Sequence, residues 1–321
     1  YSPNWIGDSV LALPFIKALK TRYPNATLYI FCKKWVSDIY RNHPDIDNII
    51  SVQKASLDSF IGTIKCGFKL RKIKLDYFFT LTDSFRSALV LRVSGSLKTI
   101  GYKSQMRSFL LTDSRSKSKL IIHRSKKYLA LLSAYEKLTI KPYFYISPNE
   151  EKWGLKEMKK IGMDKPIGLF PFSVSNKRTI SKSTIIKWIQ NSQGDYLVFG
   201  SRNDIQKGKN LIDSCQKLSI KSICGKYTLR QSIILISLCK YALAADSGLG
   251  HISAALGVPT VSFFGVGSLS VTGPIGKKVK IFKHCYPCKK DLCEDSNKEV
   301  FCLEKISKQD IEHAVKKLAK K

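Results

Sequence analysis

Residues 241–265, YALAADSGLGHISAALGVPTVSFFG, limit the possible folds of this chain more than any other stretch. The apolar run Tyr241–Ala245 suits a buried parallel strand, Asp246-Ser247-Gly248 a turn that opens a short helix, and Val258–Phe264 a second β-rich run. Such a turn is an anion site. Free amides and the positive end of the helix dipole point where a phosphate would sit, and open α/β sheets bind ligands just beyond the carboxyl ends of their strands. Asp or Ser before Gly is also an ordinary helix cap, so this segment alone leaves both readings open.

A second turn of the same kind lies at the other end of the chain. Asn4-Trp5-Ile6-Gly7-Asp8 precedes the amphipathic stretch Ser9–Leu19, which is followed by Tyr23-Pro24-Asn25-Ala26 and the strand-like Thr27–Phe31. The chain therefore opens inside a βαβ unit, and Tyr1 is expected to follow a first strand that is trimmed or lies outside this sequence.

Strands and helical patterns alternate throughout, which argues for an α/β fold with largely parallel sheets. In the first half, strands are expected near Thr27–Phe31, Ile49–Val52, Tyr77–Thr80 and Thr99–Ile100. Helices are expected near Ser9–Thr21, Lys34–Asn42, Asp58–Leu70, Ser84–Val93 and His123–Leu138. Polar Ser147–Glu151 breaks the rhythm and reads as a linker. The second half restarts with strands at Ile167–Pro171, Tyr196–Phe199, Ile220–Cys224, Tyr241–Ala245, Val258–Phe264 and Lys278–Phe282, and with helices including Thr184–Gln190, Gln206–Lys217 and Arg230–Lys240. Two doubly wound domains follow, 1–150 and 151–321. For the closing helix 307–320, capped by Ser307 and Asp310, packing back on the first domain is left open. At 321 residues the length favours two domains over one.

Charge narrows the partners. With 55 Lys and Arg against 24 Asp and Glu, the net charge is +31. Lys is scattered rather than gathered in one arm with interleaved aromatics, which argues against nucleic acid. The densest stretches, Lys65–Lys74 and Arg115–Lys127, read as a solvated face or a basic surface for anionic lipid head groups or phosphorylated sugars. No apolar run approaches the ~20 residues of a membrane span, and no secretory leader is read at Tyr1.

Nine cysteines without such a leader point to a reducing compartment. Cys32, Cys66, Cys215, Cys224 and Cys239 stand alone in apolar contexts and read as core fillers, whereas Cys285, Cys288, Cys293 and Cys302 have a spacing that could close a structural zinc site. The alternative is a loop of reduced thiols.

NWIGDSVLALPFIKALKTRYP and ADSGLGHISAALGVPTVSFFG resemble the two signature regions of glycosyltransferase family nine, the ADP-heptose:lipopolysaccharide heptosyltransferases. The middle, SFRSALVLRVSGSLKTIGYKSQMRSFLLTD, is similar to the members that add the second heptose. The resemblance implies a GT-B fold, with an acceptor domain and a donor domain facing across a cleft. It implies an inverting, metal-independent transfer with no cofactor, from ADP-heptose to heptosyl-Kdo-lipid A, at the cytoplasmic face of the inner membrane. Asp8 is then the base that takes the acceptor hydroxyl proton, beside Asn4 and Gly7, whose missing side chain lets backbone approach substrate. For the donor it implies Lys177, Asp204, Asp246, Ser247, Gly248, Leu249 and His251. Lys177 and the three amides 247–249 would face the diphosphate, Asp246 the sugar hydroxyls and His251 the donor phosphate.

Five positions depart from the family. Asp204 stands where Glu usually holds the ribose, roughly 1.5 Å shorter in reach. Phe172-Ser173 replaces Gly-Ala after the first donor-domain strand, and Thr179-Ile180 replaces Trp-Pro. Readings kept beside the main one are a member that adds the first heptose or uses another nucleotide sugar, and a non-catalytic nucleotide or nucleic-acid binder.

Overall fold

The structure is a computed structural model that describes residues 1–132, 138–189, 194–215, 219–265, 267–283 and 306–320. The chain forms two compact units, Tyr1–Pro142 and Tyr143–Lys321. The division therefore falls earlier than residue 150. The polar Ser147–Glu151 is not a linker but a helix start inside the second unit. Ser147 and Glu150 form a reciprocal capping box on the helix Pro148–Ile161, with Pro at its first turn and Gly162 left-handed at its end.

In the first unit, β1 (Tyr29–Lys33) pairs in parallel with β2 (Asn48–Val52), and β3 (Tyr77–Phe79), β4 (Lys98–Tyr102) and β5 (Asp113–Arg115) form a second parallel sheet. Residues 1 and 2 join the two: the Ser2 amide donates to Phe31 of β1, the Tyr1 amine donates to Phe79 of β3, and the Leu81 amide donates to Tyr1. The opening helix, expected as one piece over Ser9–Thr21, is two, Ile6–Leu11 and Leu13–Arg22. Pro14 has no N–H to give and crowds the carbonyl one turn back, so the chain turns at Ala12. Lys34–Ile39 is a 3-10 turn rather than an α-helix, and the expected helix His123–Leu138 is described only as Arg124–Leu129.

In the second unit, six strands are all parallel: β6 (Ile167–Phe170), β7 (Tyr196–Val198), β8 (Ile220–Ser222), β9 (Tyr241–Ala245), β10 (Thr260–Phe264) and β11 (Val279–Lys283). Their order is β11-β10-β9-β6-β7-β8. The chain walks outward from β6 to β8, then crosses back through the helix Leu229–Ser237 to lay β9 beside β6. That reversal creates a crevice beyond the carboxyl ends of β6 and β9, the place where doubly wound sheets bind ligands.

Alternation along these strands sends Ile167, Leu169, Leu243, Ala245, Val261 and Phe263 into one core with Ile185, Trp188, Ile311 and Leu318. Trp188 stacks on Phe263 at 4.3 Å between ring centres, and its indole N–H donates to the Ile306 carbonyl at 2.8 Å. These contacts hold the closing helix Lys308–Ala319, capped by Ser307 and Asp310 as expected, within the second unit. It does not belong to the first. The isolated cysteines Cys32, Cys66, Cys215, Cys224 and Cys239 are buried as free thiols, in keeping with their reading as core fillers. The proposed zinc set Cys285, Cys288, Cys293 and Cys302 lies outside the described residues.

Candidate functional site

Both strands flanking the crevice of the second unit end in a loop that carries chemistry. From β9 the chain runs into Asp246 and Ser247, and the helix Gly248–Ala255 begins at once. The first amides of a helix have no partner within it, and Ser247, although at the N-cap, makes no side-chain cap bond. Its hydroxyl oxygen and Asp246 Oδ2 are buried with no hydrogen-bond partner among the described residues. Buried polar atoms left in this state cost stability unless something else satisfies them. Gly250 sets the helix close to the sheet: a Cβ there would lie 3.1 Å from Ala244 Cβ and 3.3 Å from the Ala245 carbonyl oxygen. His251, also expected here, is buried on the same helix.

The loop after β6 faces the same point. The Ser173 hydroxyl donates to the Asp246 carbonyl at 3.2 Å, and Arg178 Nη1 lies 3.5 Å from Asp246 Oδ2. Asp246 has 6% side-chain exposure and Arg178 43%, so a buried carboxylate meets a cation that is itself half in solvent. Burial pushes the Asp246 carboxyl up to about 6, with Arg178 pulling the other way. Lys177 lies with Arg178 on the 3-10 turn Asn176–Arg178.

The departures from the family pattern are absorbed locally. Gly200 leaves room for the Phe172 ring, whose Cδ2 would lie 3.1 Å from a Cβ at that glycine. Phe172 packs on the core beneath. Thr179 Oγ1 accepts from the Ser173 amide at 3.1 Å, the Ile180 amide donates to Pro171 at 2.9 Å, and the Ile180 side chain is buried in the core. The loop is thus closed by a hydroxyl and an aliphatic plug. Asp204, by contrast, is engaged: its Oδ2 accepts from the amide and hydroxyl of Ser201, and Lys207 lies 3.8 Å from its Oδ1.

In the first unit, Asp8 is the third residue of Ile6–Leu11, whose N-cap is Trp5. It therefore sits inside the first turn rather than capping a helix from Ser9, where the helix dipole favours negative charge. Its Oδ1 lies 3.8 Å from Arg124 Nε, and its charge bears on the buried hydroxyls of Tyr40 and Tyr128, both of which burial already pushes above the usual range. The Ser125 hydroxyl donates to the Leu11 carbonyl at 2.8 Å and ties the two helices together. Asn4 offers its carbonyl to the Trp35 indole, while its Oδ1 is buried without a hydrogen-bond partner among the described residues. Gly7 precedes Asp8 in the same turn.

Sequence reasoning missed a second carboxylate here. Asp83 Oδ2 lies 2.7 Å from Lys127 Nζ and 3.0 Å from Lys117 Nζ. Burial alone would raise its carboxyl, and the two ammonium groups more than reverse this, leaving it below the ordinary value. Behind it, fully buried Arg107 makes five hydrogen bonds, to the carbonyls of Tyr102, Thr82 and Ser84 and the hydroxyl of Ser87. The stretch Arg115–Lys127 is consequently less basic than its sequence suggests. Arg115, Lys117, Arg124 and Lys127 each have a carboxylate within 4 Å.

The chain matches the family profile of glycosyltransferase family 9 (heptosyltransferase) over residues 64–300. It is 26% identical over 304 residues to lipopolysaccharide heptosyltransferase 2 of Escherichia coli K12, covering 88% of this chain and 86% of that one. The solved structure of the E. coli ADP-heptose lipopolysaccharide heptosyltransferase II superposes with a TM-score of 0.82 at 24% identity, over 99% of this chain and 96% of that one. The E. coli heptosyltransferase WaaC with ADP superposes with a TM-score of 0.71 at 14% identity, over 99% and 98%. The α/β fold is thus the GT-B fold of those enzymes.

Proposed function

Because the chain belongs to glycosyltransferase family 9, the heptosyltransferases, we propose that it moves L-glycero-D-manno-heptose from ADP-heptose to heptosyl-Kdo-lipid A, the second heptosyl step of the lipopolysaccharide core. The observation that carries this reading is the pair of buried, unsatisfied oxygens of Asp246 and Ser247 at the head of a helix, beside Arg178. A nucleoside diphosphate answers both needs. Its phosphates take the free helix amides and the Arg178 charge, and its sugar hydroxyls donate to the Asp246 carboxylate. A relative of the same fold was solved with ADP, which agrees with the nucleotide class.

In this mechanism the acceptor hydroxyl attacks the anomeric carbon as Asp8 takes its proton, the glycosidic bond breaks, and the electron pair leaves on the β-phosphate oxygen of ADP. Negative charge grows on the diphosphate as the bond breaks. Helix amides and the cations Lys177 and Arg178 stabilise it there without a divalent ion. Asn4 and Gly7 flank the base, His251 stands one turn into the donor helix, and Asp204 keeps one oxygen outside its cap for a ribose hydroxyl. The acceptor is a lipid-anchored anion, so the enzyme works at the cytoplasmic membrane surface.

The test is donor and acceptor profiling with purified protein. Turnover should require ADP-heptose and an acceptor already bearing one heptose. Turnover confined to heptose-free Kdo-lipid A would move the enzyme to the first heptosyl step, and turnover with a different nucleotide sugar would overturn the donor.

A further inference from the structure

The helix Phe60–Arg71 carries an outward face that the reaction above does not use. Its inner face is fixed: Thr63, Cys66, Gly67 and Leu70 are buried, the Ser59 hydroxyl caps the start, and a Cβ at Gly67 would lie 2.6 Å from Val93 Cβ. Such close contact with the helix Phe85–Val93 leaves no freedom to roll. Ile61, Lys65, Phe68 and Lys72 therefore form one line along the solvent side, at i, i+4, i+7 and i+11. The apolar members are large and open, with Phe60 58%, Ile61 67% and Phe68 51% exposed.

Around this line the charge has one sign. Residues 60–74 contain Lys65, Lys69, Arg71, Lys72 and Lys74 and no carboxylate. Among the described residues, none of these five cations has a carboxylate within 4 Å, whereas four of the six in Arg115–Lys127 do. The Arg71 guanidinium lies 4.6 Å from the Phe68 ring centre while its Nε donates to the Val93 carbonyl. Aromatic and aliphatic side chains level with unpaired lysines, whose methylene stems let their ammonium groups snorkel, are the pattern of a helix lying in the head-group layer.

We infer that the Phe60–Arg71 helix is the surface by which this protein seats on an anionic phospholipid bilayer, with Ile61 and Phe68 entering the head-group layer and Lys65, Lys69 and Lys72 meeting lipid phosphates. The inference rests on the membrane-anchored acceptor of the proposed function, and it names the element that holds the enzyme there.

Flotation with sugar-free vesicles tests it, because no acceptor is then present. The protein should bind vesicles of phosphatidylethanolamine and phosphatidylglycerol at least tenfold more tightly than vesicles of phosphatidylcholine alone. Ile61→Ser with Phe68→Ser should weaken binding by about tenfold. Lys65→Ser, Lys69→Ser and Lys72→Ser together should weaken it by about a hundredfold, since each basic residue near an anionic surface contributes roughly fivefold. Equal binding by the apolar double variant and the wild type would overturn the insertion, and no preference for anionic vesicles would overturn the surface altogether. Calorimetric ADP binding separates the two proposals. Variants that lose vesicles but keep ADP support the helix, whereas a wild type that ignores ADP removes the donor reading and leaves the vesicle result standing.

Discussion

Asp246 pays for its position. Its carboxyl is held at about 6, above its ordinary 3.8, so the folded state binds this proton more tightly than the unfolded chain does. Stability from that proton is complete below about pH 4, is lost as pH rises through 6, and is absent at neutrality. Asp246→Asn should therefore raise stability at pH 7 by about 3 kcal/mol, seen as a higher Tm, while donor binding falls. A lower Tm for this variant at pH 7 would mean that the ionised carboxylate is well satisfied, contrary to the account. Arg107 is the opposite case, a buried cation with every contact made. Arg107→Met should cost about 3–5 kcal/mol in urea unfolding, and a cost under 1 kcal/mol would contradict its role as the anchor of the Asp83 loop. The turn Asp246-Ser247-Gly248 between a strand and a helix was legible because its geometry is local to neighbouring residues. Asp83, Arg107, Arg124 and Arg178 were not legible as partners, because each acts through a residue brought near only by the fold, 20 to 116 positions away.

Glycine does for the helix Gly248–Ala255 what Pro14 does for the opening one: each lets local covalent structure decide an element's course. Gly250→Val should push the helix Gly248–Ala255 off β9, since even a single Cβ meets Ala244 at 3.1 Å. Overpacking of this kind costs about 1–3 kcal/mol, and ADP affinity measured by calorimetry should fall at least tenfold. Undiminished ADP affinity would show that the amides at this helix head do not hold the phosphates. The parallel strands were legible because strands buried on both faces read as continuous apolar runs between turn residues. β5 was not, since Asp113-Ser114-Arg115 is polar and takes its strand geometry from β4 alone. The capping box at Ser147 was misread as a linker for a related reason: Ser, Pro, Asn and Glu are the residues of both a loop and a helix start.

At the scale of the whole chain, the proposed reaction draws on two α/β units: the carboxylate of Asp8 on the first helix of Tyr1–Pro142, and the helix head after Asp246 at the sheet reversal of Tyr143–Lys321. The second unit's six strands were legible in the alternating pattern, but its boundary was not, because the charge and composition of the chain hardly change there. If the two units act as proposed, removing the base must separate catalysis from nucleotide binding. The direct measurement is Asp8→Asn, with heptosyl transfer and ADP affinity determined on the same preparation. Transfer should fall by about 10²–10⁴-fold while the Kd for ADP stays within about threefold of wild type, as expected of a group that only moves a proton. Transfer within tenfold of wild type, or equal loss of transfer and ADP binding, would contradict the account.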